Sequence, residues 1–183
     1  MTLHARVEVT TALGAFTLAI DAVAAPISAA NFLAYVDGGH LRDAAIYRIV
    51  AACNQGDEAA GGGPIAHKID VVQWGWVAPR DGDPPPLPTI AHEPTSVTGL
   101  RHRDGTLAMA RRAPGTAGPA FFICIGDQPE LDFGGRRNPD GQGFAAFGRV
   151  VAGMDVVRAI HARAEASDRL RTTIAITRVA RVE

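Results

Sequence analysis

Short runs in which apolar and polar positions alternate with a period of two recur along most of the chain. Val7-Glu8-Val9-Thr10 and residues 16–20 (FTLAI) are the first pair, and Ala12-Leu13-Gly14 between them predicts a hairpin with a short glycine-containing loop. The period then lengthens. Pro26 suits a first helical turn, Ile27, Ala30, Phe32, Leu33 and Val36 recur at helical spacing, and Gly38-Gly39 ends the segment. Strand patterns resume at 46–50, 69–73, 106–110, 120–125 and 144–151. Gly153-Met154-Asp155 opens a second helix with Val156, Val157 and Ile160 on one face, and a final alternating strand at 172–182 buries Ile174, Ile176 and Val179. Eight strands with a helix near each end predict a mainly β fold: a closed eight-stranded antiparallel β-barrel capped by two α-helices.

Glycine and proline fill the spaces between these runs, in a Gly-rich excursion at 54–68 and a proline-rich stretch at 79–88 whose three consecutive prolines offer no backbone donors. Neither half flanking that stretch is complete as a domain, so it reads as an exposed loop, and the 183 residues form one domain, 1–183. A 47% hydrophobic and 20% charged composition is that of a globular chain. Eighteen basic residues nearly cancel nineteen acidic ones, which gives no electrostatic reason to expect nucleic acid or an anionic membrane as partner. No apolar run is long enough to span a bilayer, and residues 1–9 lack the pattern of a secretory leader. A cytoplasmic location is expected, or a periplasmic one if a leader was removed. Cys53 and Cys124 are expected to be free thiols, and His67 near Cys53 lacks the further ligands a metal site needs. His102 and His161 read as surface residues, and Asp127, Asp132 and Asp140 as turn residues bonding local backbone.

Three segments in order carry a resemblance. They are IYRIV (46–50), GTLAMAR (105–111), and FFICIGDQPELDFGG (121–135) continued by GFAAFGRVVAGMDVV (143–157). Together they resemble the cyclophilin-type peptidyl-prolyl cis-trans isomerases, over nearly the whole chain from Val7 to Val182. The resemblance implies an enzyme that accelerates rotation about Xaa-Pro bonds in unfolded or flexible chains. It implies no cofactor and no metal, proline-containing peptides or unfolded proteins as partners, and a monomer. It places Arg48 at the catalytic arginine, Gln73 at the glutamine of the neighbouring strand, Phe122 at the floor of the proline pocket and Leu131 at its wall. Ala110 and Arg111 match the pair whose backbone grips the peptide preceding proline, and Val71 and Phe144 complete the apolar cup. The chain departs from the family pattern at Asp70-Val71, Ala120, Glu130 and Phe144. Those departures motivate a second reading, a peptide-binding module of the same fold with weakened catalysis. A third, an unrelated ligand-binding barrel, requires an empty interior that the many large inward residues would fill.

Overall fold

The computed structural model describes residues 4–55 and 67–183, so most of the Gly-rich excursion (56–66) and the first three residues lie outside the described residues. The strands are β1 (Ala5–Thr11), β2 (Gly14–Ile20), β3 (Ala45–Val50), β4 (Val71–Gly75), β5 (Thr106–Met109), β6 (Ala120–Cys124), β7 (Ala146–Ala152) and β8 (Arg169–Val182). They close into a barrel in the order β1-β2-β7-β5-β6-β4-β3-β8, each neighbour antiparallel. Boundaries differ modestly from the pattern-based reading. β4 starts two residues later than expected and β8 three earlier, while β7 begins at Ala146 and leaves Phe144 in the preceding loop.

Alternation along the strands sorts the side chains into two layers. Val72 and Trp74 of β4, Phe121 and Ile123 of β6, and Leu107 and Met109 of β5 point into the main core. Val71, Phe122, Cys124 and Ala108 of the same strands form a separate cluster on the outer face, with Val50, Ile69 and Leu131. Helix α1 (Pro26–Asp37) drives Phe32 into the interior, where its ring lies 4.9 Å from Phe121, 5.5 Å from Phe147 and 6.0 Å from Trp74. These mutually tilted and edge-on aromatics fill the barrel, leaving no room for the ligand cavity of the third reading.

The buried face of α1 keeps Phe32 and Val36 of the apolar spacing but is rotated away from Ile27 and Ala30. Ile27 is 42% exposed and Ala30 faces solvent, whereas Ser28 and Asn31 are buried with Ala29, Phe32, Tyr35 and Val36. Two long-range partners turn the helix. The Glu93 carboxylate accepts from the Ile27 and Ser28 backbone N–H groups and from the Ser28 hydroxyl, and the Asn31 amide donates to the Gly118 carbonyl. A carboxylate on the first-turn amides also complements the helix dipole. Helix α3 (Met154–His161) buries Val157 and Ile160 in the same core, as expected. A third, one-turn helix, α2 (Thr95–Thr98), lies in the loop before β5.

Candidate functional site

On the outer face of the barrel, register places five residues in a row across five strands. Arg169 of β8 is opposite Arg48 of β3, Arg48 opposite Gln73 of β4, Gln73 opposite Phe122 of β6, and Phe122 opposite Ala108 of β5. The row therefore runs from charge through amide to aromatic. A register shift between Ile46 and Arg48 inserts Tyr47 as an extra residue, so Tyr47 and Arg48 both escape the interior while Ile46 and Ile49 stay buried.

At the polar end the side chains bind one another. The Arg48 Nε donates to Asp168 Oδ2 at 2.7 Å, with Nη2 also 2.7 Å from that oxygen, and Nη1 donates to Gln73 Oε1 at 3.1 Å. The Gln73 amide in turn donates to the Tyr47 hydroxyl at 3.1 Å. Burial pushes the Tyr47 hydroxyl above its ordinary pKa, so it stays protonated and its own hydrogen remains available to a ligand. Asp168 takes one edge of the guanidinium and Gln73 the other, which leaves N–H groups on Nη1 and Nη2 for a bound molecule. Arg48 is 27% exposed and Asp168 32%, so the pair is only partly shielded and its value is positional more than energetic. Replacing Asp168 by Ala is expected to lower turnover about tenfold by freeing the guanidinium from its fixed fork. In an Arg48→Ala background the same change should do nothing further. A drop of equal size in both backgrounds, measured as kcat, would make Asp168 a general structural residue instead.

At the apolar end Phe122 is 4% exposed, with Leu131 and Val71 buried beside it and the half-buried Phe144 ring edge-on at 5.5 Å. Strand alternation puts the two phenylalanines of 121–122 on opposite faces. Phe121 belongs to the core and Phe122 to the outer hollow. Behind Phe122 the His102 ring stacks at 6.0 Å and 15°. His102 is not a surface residue. It is 1% exposed and clamped by the buried Asp132, whose Oδ1 accepts from the His102 backbone N–H at 2.9 Å and from Nδ1 at 2.8 Å. An ionised carboxylate only accepts, so Nδ1 carries a proton. Asp127 likewise bonds across the chain, to the Asp104 N–H, and Asp140 to Arg111, so all three expected turn aspartates tie distant segments together, Asp140 while also accepting from the local Gln142 N–H.

Phe144 is fixed by Arg111. Its guanidinium lies 5.0 Å from the Phe144 ring centroid, donates to the Gly143 carbonyl from Nε and Nη2, and forms a fork with both Asp140 oxygens at 2.8 and 3.0 Å. The Arg111 hydrogen bonds hold the Asp140 carboxyl below the usual carboxylate range. Gly143 adopts φ +63°, and a Cβ there would meet the Asp132 and Leu131 backbone at 2.5 to 2.6 Å, so the loop closes against the hollow only with glycine. The Arg111 side chain, 1% exposed, thus braces the wall, and only its backbone remains for a ligand. The Ala110 N–H is used by the Ala120 carbonyl at 3.0 Å.

The eight residues expected at the site, Arg48, Val71, Gln73, Ala110, Arg111, Phe122, Leu131 and Phe144, all line one groove of about 910 Å³. Asp70 does not line it. Its carboxylate lies 3.4 Å from His161 Nε2, and that half-buried histidine also contacts the Val50 carbonyl at 3.1 Å, so His161 too is less exposed than expected. Glu130 bonds the Arg136 backbone and side chain, well away from the aromatic role of its family counterpart. Cys124 is buried and its thiol pushed far up by desolvation, while Cys53 is exposed and free. Four site residues escaped the sequence reading: Tyr47, Asp168, Arg137 and Arg169. Tyr47 adjoins Arg48 and could have been found from the register shift, but Asp168 lies 120 residues from its partner with no local pattern to mark it.

A filled antiparallel barrel bearing an external arginine-and-aromatic groove defines a cyclophilin-like protein. Comparisons agree. The family described as cyclophilin type peptidyl-prolyl cis-trans isomerase/CLD matches residues 6–181. The peptidyl-prolyl cis-trans isomerase cyp18 of Streptomyces antibioticus is 33% identical over 155 residues, covering 84% of this chain and 81% of that protein. Peptidyl-prolyl cis-trans isomerase A of Dickeya dadantii is 33% identical over 156 residues, covering 85% and 70%. A cyclophilin type peptidyl-prolyl cis-trans isomerase of Cryptosporidium parvum shares the fold with a TM-score of 0.73 over 99% of both chains, at 18% identity. This chain belongs to the cyclophilin-type peptidyl-prolyl cis-trans isomerase family. It is an isomerase of the rotamase class, and the peptide-binding module with weakened catalysis is the less favoured reading.

Proposed function

We propose that the groove seats a proline-containing peptide with the pyrrolidine ring against Phe122, Leu131, Phe144 and Val71, and that Arg48 is the catalytic group. Peptide-bond resonance sets a rotation barrier of about 18–20 kcal/mol, and X-Pro bonds still isomerise slowly. As the bond twists, the prolyl nitrogen becomes pyramidal and recovers its lone pair. A guanidinium N–H can donate to that lone pair only in the twisted geometry, which is selective stabilisation of the transition state. Nothing covalent forms, and no proton leaves the enzyme. Gln73 and Asp168 hold the fork in place, while the apolar hollow keeps the ring still as the preceding carbonyl swings.

The observation that carries this reading is the register row, which puts an oriented guanidinium one amide away from a nearly closed aromatic hollow. A solved structure of the Cryptosporidium parvum cyclophilin in the presence of the dipeptide Ala-Pro, TM-score 0.71 and 19% identical, supports a proline-sized occupant for a groove in this fold. The test is two-dimensional NMR exchange between the cis and trans resonances of a short Ala-Pro peptide with catalytic amounts of protein. Exchange cross-peaks that grow with protein concentration are expected. Chemical-shift perturbation with no exchange would instead identify a binding module.

A further inference from the structure

Although the chain carries a net charge of −1, the groove is lined by five arginines, Arg48, Arg111, Arg112, Arg137 and Arg169, and among the described residues by no carboxylate. Asp168 pairs with Arg48 and Asp140 with Arg111. Arg112, Arg137 and Arg169 have no carboxylate within 4.0 Å among the described residues. Arg137 is the most constrained of these. It is half-buried, and its Nη1 donates at 3.0 Å to two neutral acceptors, the Gln55 side-chain oxygen and the His67 carbonyl. Desolvation and the neighbouring Arg48 charge lower its pKa, and the Asp168 carboxylate offsets them only in part. Arg169 lies on the same side, its guanidinium 5.6 Å from the Tyr47 ring centroid.

Resting on the proline seat proposed above, and with the chain before proline along Ala110 as the family resemblance implies, the segment after proline would leave Phe122 toward the Arg48 end of the row, where Arg169 is in register and Arg137 lines the groove. From this charge arrangement we infer that the enzyme selects proline substrates carrying an anionic side chain one or two positions C-terminal to the proline, with Arg137 and Arg169 as the specificity-determining residues. An anion there removes the mutual repulsion of Arg48 and Arg137 and gains charge-assisted hydrogen bonds in a partly desolvated groove. A carboxylate and a phosphate monoester share this chemistry, the phosphate with more charge and more acceptor oxygens.

The experiment compares kcat/KM by NMR exchange for four peptides that differ only at the residue after proline: alanine, glutamate, phosphoserine and lysine. Glutamate is expected to exceed alanine about tenfold through KM, and lysine to fall below it. A phosphoserine rate well above glutamate assigns the natural anion to phosphate, and equal or lower assigns it to carboxylate. The advantage should shrink as salt rises from 20 to 500 mM (about 21 to 4 Å in Debye length). In an Arg137→Gln/Arg169→Gln double variant the glutamate-to-alanine ratio should fall toward one. In Arg137→Glu it should invert in favour of lysine, a reversal that loss of folding cannot imitate. Equal rates for alanine and glutamate, or a ratio unmoved by either variant, overturn the inference while leaving the isomerase reading intact. Absence of exchange with every peptide would overturn that reading itself. Stronger competition by a single-stranded oligonucleotide than by the glutamate peptide would overturn the inference about substrate choice, making the arginines a nucleic-acid surface.

Discussion

Replacing Arg48 by Ala is expected to lower kcat/KM for a neutral Ala-Pro peptide at least a hundredfold. A preorganised donor that acts only on the transition state is worth about two to three orders of magnitude. Arg48→Lys should recover little of the loss. An ammonium has three N–H groups on one tetrahedral nitrogen, not the planar fork whose separate nitrogens bond Asp168 and Gln73 and leave a further N–H aimed at the prolyl nitrogen. Thermal stability should change little in either variant, because the side chain sits on the outer face and contributes nothing to the aromatic core. Progress curves from a coupled assay or NMR exchange decide the matter. An Arg48→Ala enzyme that retains wild-type turnover removes the guanidinium from the mechanism.

The largest loss of stability is expected at a residue that touches no ligand. Asp132, with an 8% exposed side chain, accepts from the His102 backbone and ring and lies 3.5 Å from Arg101, and the His102 ring backs the Phe122 floor. Asp132→Ala strands the buried His102 donors and should cost about 3 kcal/mol, lowering Tm by roughly 6–12 °C in calorimetry. Burial alone would raise the Asp132 pKa, but the hydrogen bonds from the His102 ring and backbone, with a further one from Arg101, outweigh it and hold the carboxyl below its ordinary value. A depressed folded pKa fixes the sign. The contribution is complete above the unfolded carboxylate value of about 4, and it is lost as pH falls through the lower folded value. The wild type should therefore lose its advantage over Asp132→Asn only in acid. An advantage that instead grew below pH 4 would rule out the ionised clamp.

What could be read in advance, and what could not, follows from the range of the interactions concerned. Short β-rich runs between glycine- and proline-containing segments located all eight strands, because alternate side chains serve the main core and the outer cluster, as at Val71, Val72, Gln73 and Trp74. Arg48, Gln73 and Phe122 were legible through the resemblance, since strand motifs keep their register. The burial of Ser28 and Asn31 was hidden, because their partners are 65 and 87 residues away and hydrophobic spacing is blind to satisfied polar groups. His102 was misread for the same reason: its neighbours Arg101, Arg103 and Asp104 give the look of a solvated run, and only the distant Asp132 makes burial affordable. The arginine lining escaped because its members come from four separate stretches of chain whose charges cancel in the total.

Because the barrel keeps its structural and reactive side chains on opposite faces of the same strands, the two can drift independently. Ala120, Glu130 and Phe144 depart from the family pattern on the outside, yet Trp74, Phe121 and Phe147 inside retain a sealed aromatic centre. Such a scaffold lets selection retune which chains are accepted without renegotiating the fold, so related barrels can diverge in clientele while remaining superimposable.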